Sequence, residues 1–196
     1  DEEGFQASEL SQETQERLRL LFTNLVQKNG ESERTYQLIF RQWDNIANAM
    51  ALPNGTIVLT DRLVELADSD EQIAAVLLHE IAHVEENHGL EGLIKSSLLS
   101  VSLSVLLGDV GAMGEILVQG AVFGTDLKYS RDAELEADAF AVNALLQTAK
   151  DPLSLERILS SISEDAEDKQ MGATWLSSHP DLDQRIDQIR QIKLAI

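Results

Sequence analysis

The chain has 196 residues, 34 acidic against 15 basic side chains, a formal net charge of −19 and no cysteine. The missing cysteines exclude a disulfide framework, a thiolate metal site and a cysteine nucleophile. The acidic balance argues against nucleic acid and anionic membrane surfaces as partners. The length suits one domain, residues 1–196, with a full hydrophobic core and residues 1–30 as an N-terminal helical segment packed on it.

The opening Asp1-Glu2-Glu3 lacks the basic start of a secretory signal, and no methionine precedes it, so the sequence reads as a mature form or an excised domain. Residues 8–29 follow as an amphipathic helix, with Leu18, Leu21, Phe22 and Leu25 at helical spacing and Gly30 closing it. Residues 35–43 alternate like a strand and residues 46–51 read as a second. Pro53-Asn54-Gly55 is a turn signal, and Thr56 to Thr60 a third strand. Asp61 then caps a short helix ending at Ala67. Ser69 and Gln72 have capping-box spacing ahead of a helix over 70–88, which Gly89 ends.

That helix holds His79-Glu80-Ile81-Ala82-His83. Histidines at i and i+4 share a helix face and can converge on one zinc ion, while the intervening glutamate can take a proton from a metal-activated water. The preceding Ile73-Ala74-Ala75-Val76-Leu77-Leu78 is apolar enough to bury the helix, and histidines carried inside need partners. Past the motif, helices are expected over 90–107 and 112–123. Their uncharged runs, 96–108 and 116–125, are shorter than the ~18–20 residues of a membrane span and read as core helix. A long helix follows over 128–149. Asp151-Pro152 opens another to about Ser163. Residues 164–172 read as a mobile polar loop, and a last helix covers 181–193. Strands early and helices thereafter make the fold α+β and mostly helical, with a small sheet of about three strands.

A zinc peptidase needs a third protein ligand. His88 is five residues beyond His83, which on a continuous helix turns it off the ligand face, so it reads as a solvated helix-end imidazole. The stretch Ser130 to Asp138 offers Glu134, Glu136 and Asp138. Glu134 and Asp138 share a helix face and Glu136 points away. The first carboxylate suits the metal. The second suits the N–H of a ligand histidine, fixing its tautomer.

Four separated motifs resemble one known group. They are His79-Glu80-x-x-His83, Ser130-Arg131-x-x-Glu134-x-x-Ala137-Asp138, Ser178-His179-Pro180 with Arg185-Ile186, and Asn48-Ala49-Met50-Ala51-Leu52-Pro53-x-Gly55. Together they resemble the HtpX, BepA and CAAX-prenyl-protease group of gluzincin metallopeptidases over roughly residues 35–190. Met50 departs from the aromatic, and Asn54 from the glycine, usual in that group. The resemblance implies a zincin-like domain with one zinc per chain held by His79, His83 and Glu134. It implies Glu80 as general base and Asp138 orienting a ligand histidine. Asn48, Ala49, Met50 and Ala51 would pair with an extended polypeptide substrate. His179 would lie near the metal, either as oxyanion donor or as a fourth ligand that holds the enzyme latent. Arg185 would pair with an acid beside the site or donate to a substrate carbonyl. The implied activity is cleavage of unfolded or misassembled proteins; the alternative is a latent, chaperone-like zinc module. The implied setting is a bacterial cell envelope with a membrane tether in the parent chain. No oligomeric state is implied.

Overall fold

The computed structural model describes residues 5–30, 33–95, 98, 129–169 and 175–194. Its sheet has four strands, β1 (Phe5–Ala7), β2 (Gln37–Trp43), β3 (Ala49–Ala51) and β4 (Thr56–Thr60), in the order β1-β2-β4-β3. β2 and β4 run parallel, and the outer strands pair antiparallel to them. β1 is the strand that local pattern misses. Three residues carry no alternation to read, and the strand exists through its pairing with residues 41–43. The second strand is shorter than expected, Ala49–Ala51.

The turn joining β3 to β4 needs its glycine. Gly55 has φ 85°, and a Cβ there would come 2.2 Å from the Thr35 carbonyl oxygen. Leu52 N–H bonds Thr56 O at 2.8 Å and Gly55 N–H bonds Leu52 O at 2.9 Å, closing the hairpin.

The helices are α1 (Gln12–Asn29), α2 (Asp61–Leu66), α3 (Asp70–Glu85), α4 (Arg131–Gln147), α5 (Ser154–Lys169), α6 (Trp175–Ser178) and α7 (Leu182–Leu194). Residues 88–95 are also helical. α1 starts later than residue 8 because Ser11 caps it, accepting from Thr14 N, and it buries Leu18, Phe22 and Leu25. α3 is the central helix. Every residue from Gln72 to Val84 is buried, and it packs against α4, α1, α5 and β3.

Three cap assignments differ from expectation. Thr60 is the N-cap of α2; the Asp61 carboxylate accepts instead from Ser8 Oγ at 2.7 Å and Glu9 N at 2.6 Å, tying the N-terminal segment to the start of α2. Ser69 makes no side-chain cap, and Gln72 Oε1 accepts from Asp68 N, one residue earlier than a capping box requires. α5 begins at Ser154 because Asp151 and Pro152 form a turn first, with Asp151 Oδ1 accepting from Leu153 N.

α5 also runs six residues into the expected loop. Leu155, Ile158, Leu159 and Ile162 bury its apolar face, and Asp165 pairs with Arg62 at 2.5 Å, which holds the polar extension in register. The expected helix over 112–123, both apolar runs apart from Leu98, most of the 90–107 helix and the end of the 164–172 stretch lie outside the described residues. Among the described residues, no helix is long and apolar enough to cross a membrane.

Candidate metal centre

α3 carries His79, Glu80 and His83, and α4 carries Glu134 and Asp138. His179 stands just past α6, its backbone N–H bonded to Trp175 O at 3.0 Å. All six residues are at most 1% exposed. One ligand atom from each of His79, His83, Glu134 and His179 lies within 4.8 Å of all the others.

The spacings within this set are specific. His79 Nε2 is 2.9 Å from His83 Nε2 and 3.2 Å from His179 Nδ1. Glu134 Oε1 is 3.1 Å from His179 Nδ1 and 3.4 Å from His83 Nε2. Donors of a tetrahedral zinc with bonds near 2.0–2.1 Å lie about 3.3 Å apart. The outward nitrogens of the α3 pair are already engaged, His79 Nδ1 by Asp138 Oδ1 at 2.9 Å and His83 Nδ1 by His88 Nδ1 at 3.0 Å. With His79 Nδ1 and His83 Nδ1 as the protonated nitrogens, both Nε2 atoms turn lone pairs toward the same point, 2.9 Å apart, which is an arrangement a cation between them would stabilise. The surrounding charge argues the same way. Three buried carboxyl groups, Glu80, Glu134 and Asp138, share the single buried guanidinium of Arg185 in this cluster, so a divalent cation would balance the set. The residues present therefore fit a zinc ion.

Electrostatics follow from this crowding. Burial opposes ionisation of Glu134, but the imidazoles of His179, His83 and His79 outweigh it and hold the carboxyl well below the usual range. Burial likewise opposes ionisation of Asp138, and Arg185 and His79 overcome it. Burial keeps His83 neutral far below its ordinary pKa, and a neutral imidazole is the form that binds a metal.

Arg185 locks the site from behind. Its Nε and Nη2 fork the two Asp138 oxygens at 2.7 Å each, and its Nη1 lies 2.8 Å from Glu134 Oε2. The guanidinium also lies 4.7 Å from the Trp175 ring centroid.

Two residues here were not singled out by sequence. Trp175 donates its indole N–H to Glu80 Oε1 at 3.0 Å and stacks on His179 at 4.2 Å. Tyr129 stacks on His83 at 3.8 Å and 20°, with its hydroxyl 3.5 Å from Ala51 O. Burial, reinforced by Glu80 and Glu134, pushes the Tyr129 phenol up and keeps it neutral. The one available signal was an aromatic beside each recognised motif, one residue before Ser130 and four before His179. His88 also differs from expectation. His88 is buried rather than solvated; Glu136 does point away from the face of Glu134 and Asp138, with its side chain 59% exposed and Oε2 3.4 Å from His88 Nε2. Asn48 to Ala51 sit where β3 forms one edge of the sheet, next to α3. The Asn48 side-chain oxygen is buried without a partner among the described residues.

Residues 12–193 match the model of Peptidase family M48, and the chain belongs to that family of metallopeptidases. It is 26% identical over 170 residues to the mitochondrial metalloendopeptidase OMA1 of Schizosaccharomyces pombe, covering 85% of this chain and 49% of that protein. It is 27% identical over 158 residues to the beta-barrel assembly-enhancing protease of Escherichia coli, covering 73% and 31%. It is also similar to the metalloprotease YcaL of Escherichia coli, 28% identical over 151 residues, covering 73% and 57%. The chain thus spans about a third to just over half of these relatives' lengths.

Proposed function

We propose that this chain is a zinc-dependent endopeptidase that cleaves unfolded or misassembled polypeptides, with His79, His83 and Glu134 as ligands and Glu80 as general base. The observation that carries it is the buried four-donor cluster beside Glu80, whose Oε2 has no partner among the described residues. When bound, zinc would polarise the scissile carbonyl and make a water at the site more acidic. Trp175 fixes Oε1 of Glu80, which leaves Oε2 to take the proton of the attacking water and pass it to the leaving amine. Asp138 holds His79 in the tautomer whose Nε2 is unprotonated. The edge strand Ala49–Ala51 pairs with the backbone of an extended substrate, a mode that selects unfolded segments over particular side chains. Arg185 serves as the structural ion-pair partner, since both carboxylates engage it.

Substitution of Glu134 by alanine tests the ligand set. The zinc dissociation constant of Glu134→Ala should rise by more than the roughly 10–100-fold typical of losing a supporting partner. Zinc held as tightly as by the unsubstituted protein would remove Glu134 from the set.

The full burial of the cluster favours a further element of the second reading, that the site spends most of its time closed. His179 stands in the fourth donor position, Trp175 N–H bonds Ala47 O at 3.3 Å and Tyr129 sits over Ala51 O, so substrate cannot reach the edge strand until these groups move. His179 then acts as a latch. His179→Ala is expected to raise cleavage of an unfolded protein by about 3-fold or more, by enlarging the open fraction. A fall in activity would instead assign His179 to oxyanion stabilisation.

The beta-barrel assembly-enhancing protease is tied by its name to β-barrel assembly. On that likeness, and on the motifs, we assign the parent chain to a bacterial cell envelope, tethered to a membrane.

A further inference from the structure

His88 has no part in the reading above, yet it is only 7% exposed and contacts a proposed metal ligand. We infer that His88 is a positioning residue for His83, holding its tautomer and ring orientation as Asp138 does for His79. The inference rests on the zinc reading. It is a statement about metal affinity rather than cleavage.

The hydrogen-bond geometry leaves one consistent arrangement. His83 Nδ1 and His88 Nδ1 are 3.0 Å apart, so one donates and the other accepts. His83 Nε2 faces the cluster, 2.9 Å from His79 Nε2 and 3.4 Å from Glu134 Oε1. As a ligand atom it carries no proton, so the proton of the neutral ring sits on Nδ1 and is donated to His88. His88 then carries its own proton on Nε2, which faces Glu136 Oε2 at 3.4 Å. Reversing the first bond would put an N–H of His83 into the cluster and remove a ligand.

The His83 ring is held on two sides. His88 meets it edge to face, at 5.1 Å and 71°, and Tyr129 stacks on it at 3.8 Å. Asn87 makes this possible. Its φ of 58° lies in the left-handed region, which asparagine tolerates. There the chain leaves α3 and restarts as a helical run at residue 88, which brings His88 back beside His83. The two supporting arms are unequal. Asp138 is a buried carboxylate forked by Arg185, whereas the Glu136 side chain is 59% exposed and its hold on His88 is screened by water.

The test is the zinc dissociation constant, read by competition with a chelating dye, together with thermal melting of each zinc-free protein. His88→Ala should weaken zinc by about 10–100-fold. His88→Asn places an amide oxygen near the lost Nδ1 and should restore affinity to within about 3-fold, and Glu136→Gln should stay within the same range. Zinc bound equally tightly by His88→Ala, or lost equally in His88→Ala and His88→Asn with unchanged zinc-free melting, overturns the inference. If the unsubstituted protein itself holds no zinc, the metal site fails and this inference with it. If it holds zinc but cuts nothing, only the peptidase reading fails.

Discussion

Replacing Glu80 by glutamine is expected to leave zinc content unchanged and to lower cleavage of an unfolded protein by about 10²- to 10⁴-fold. Glutamine keeps the carbonyl oxygen that accepts from Trp175, so the buried contact that orients this side chain survives. The second oxygen, which has no partner among the described residues, becomes an amide nitrogen that cannot accept a proton. The change therefore removes the base and little else. Metal analysis and a cleavage assay on the same zinc-loaded sample read both halves of the expectation. Equal cleavage by the two proteins would move the general base to another residue.

The second large effect belongs to Arg185, which never needs to touch substrate. Its guanidinium is fully buried and bonds Asp138 through two nitrogens, with a third nitrogen against Glu134. Arg185→Ala leaves both carboxylates buried without their cation. Breaking such a pair costs about 3–5 kcal/mol, which for a chain of this length lowers the melting temperature by roughly 6–20 °C. The loss also has a pH signature. Arg185 helps hold the folded Asp138 below its ordinary pKa, so the stabilisation is complete above about pH 4 and fades as pH falls through the lower folded value. In Arg185→Ala that acid-side dependence should shrink. Calorimetry of both proteins from about pH 6 down to about pH 2, which enters that window from above, would detect it. Unchanged melting would show that water or a rearranged side chain replaces the pair.

Local spacing and long-range contact differ in how far they can be read from sequence. The grouping of His79, Glu80 and His83 is legible because a shared face at i and i+4 is a property of one helix, and that of Glu134 with Asp138 for the same reason. Nothing local says that α3 and α4 face each other, and only the pairing of the two motifs suggested it. His88 escapes local reading because a helix running unbroken through residue 88 would turn it away from His83, whereas Asn87 reverses the backbone. Asparagine before a histidine and glycine was the available warning. Trp175 was missed because its partner Glu80 is 95 residues away and an indole in a polar stretch has no period to read. The extra strand Phe5–Ala7 and the last turns of α5 have the same origin. Pairing with β2 makes the first, and the Asp165–Arg62 ion pair holds the second. Gly55 lies at the other extreme, since a turn glycine with positive φ follows directly from the Pro-Asn-Gly signal.

The most direct measurement is cleavage of unfolded casein by the zinc-loaded protein, repeated after a chelator strips the metal and again after zinc is returned. A zinc endopeptidase cuts in the first state, stops in the second and recovers when one equivalent of zinc per chain is bound. Cleavage that persists undiminished without zinc, or recovery that needs no bound metal, would contradict the assignment of His79, His83 and Glu134 as the centre of its chemistry.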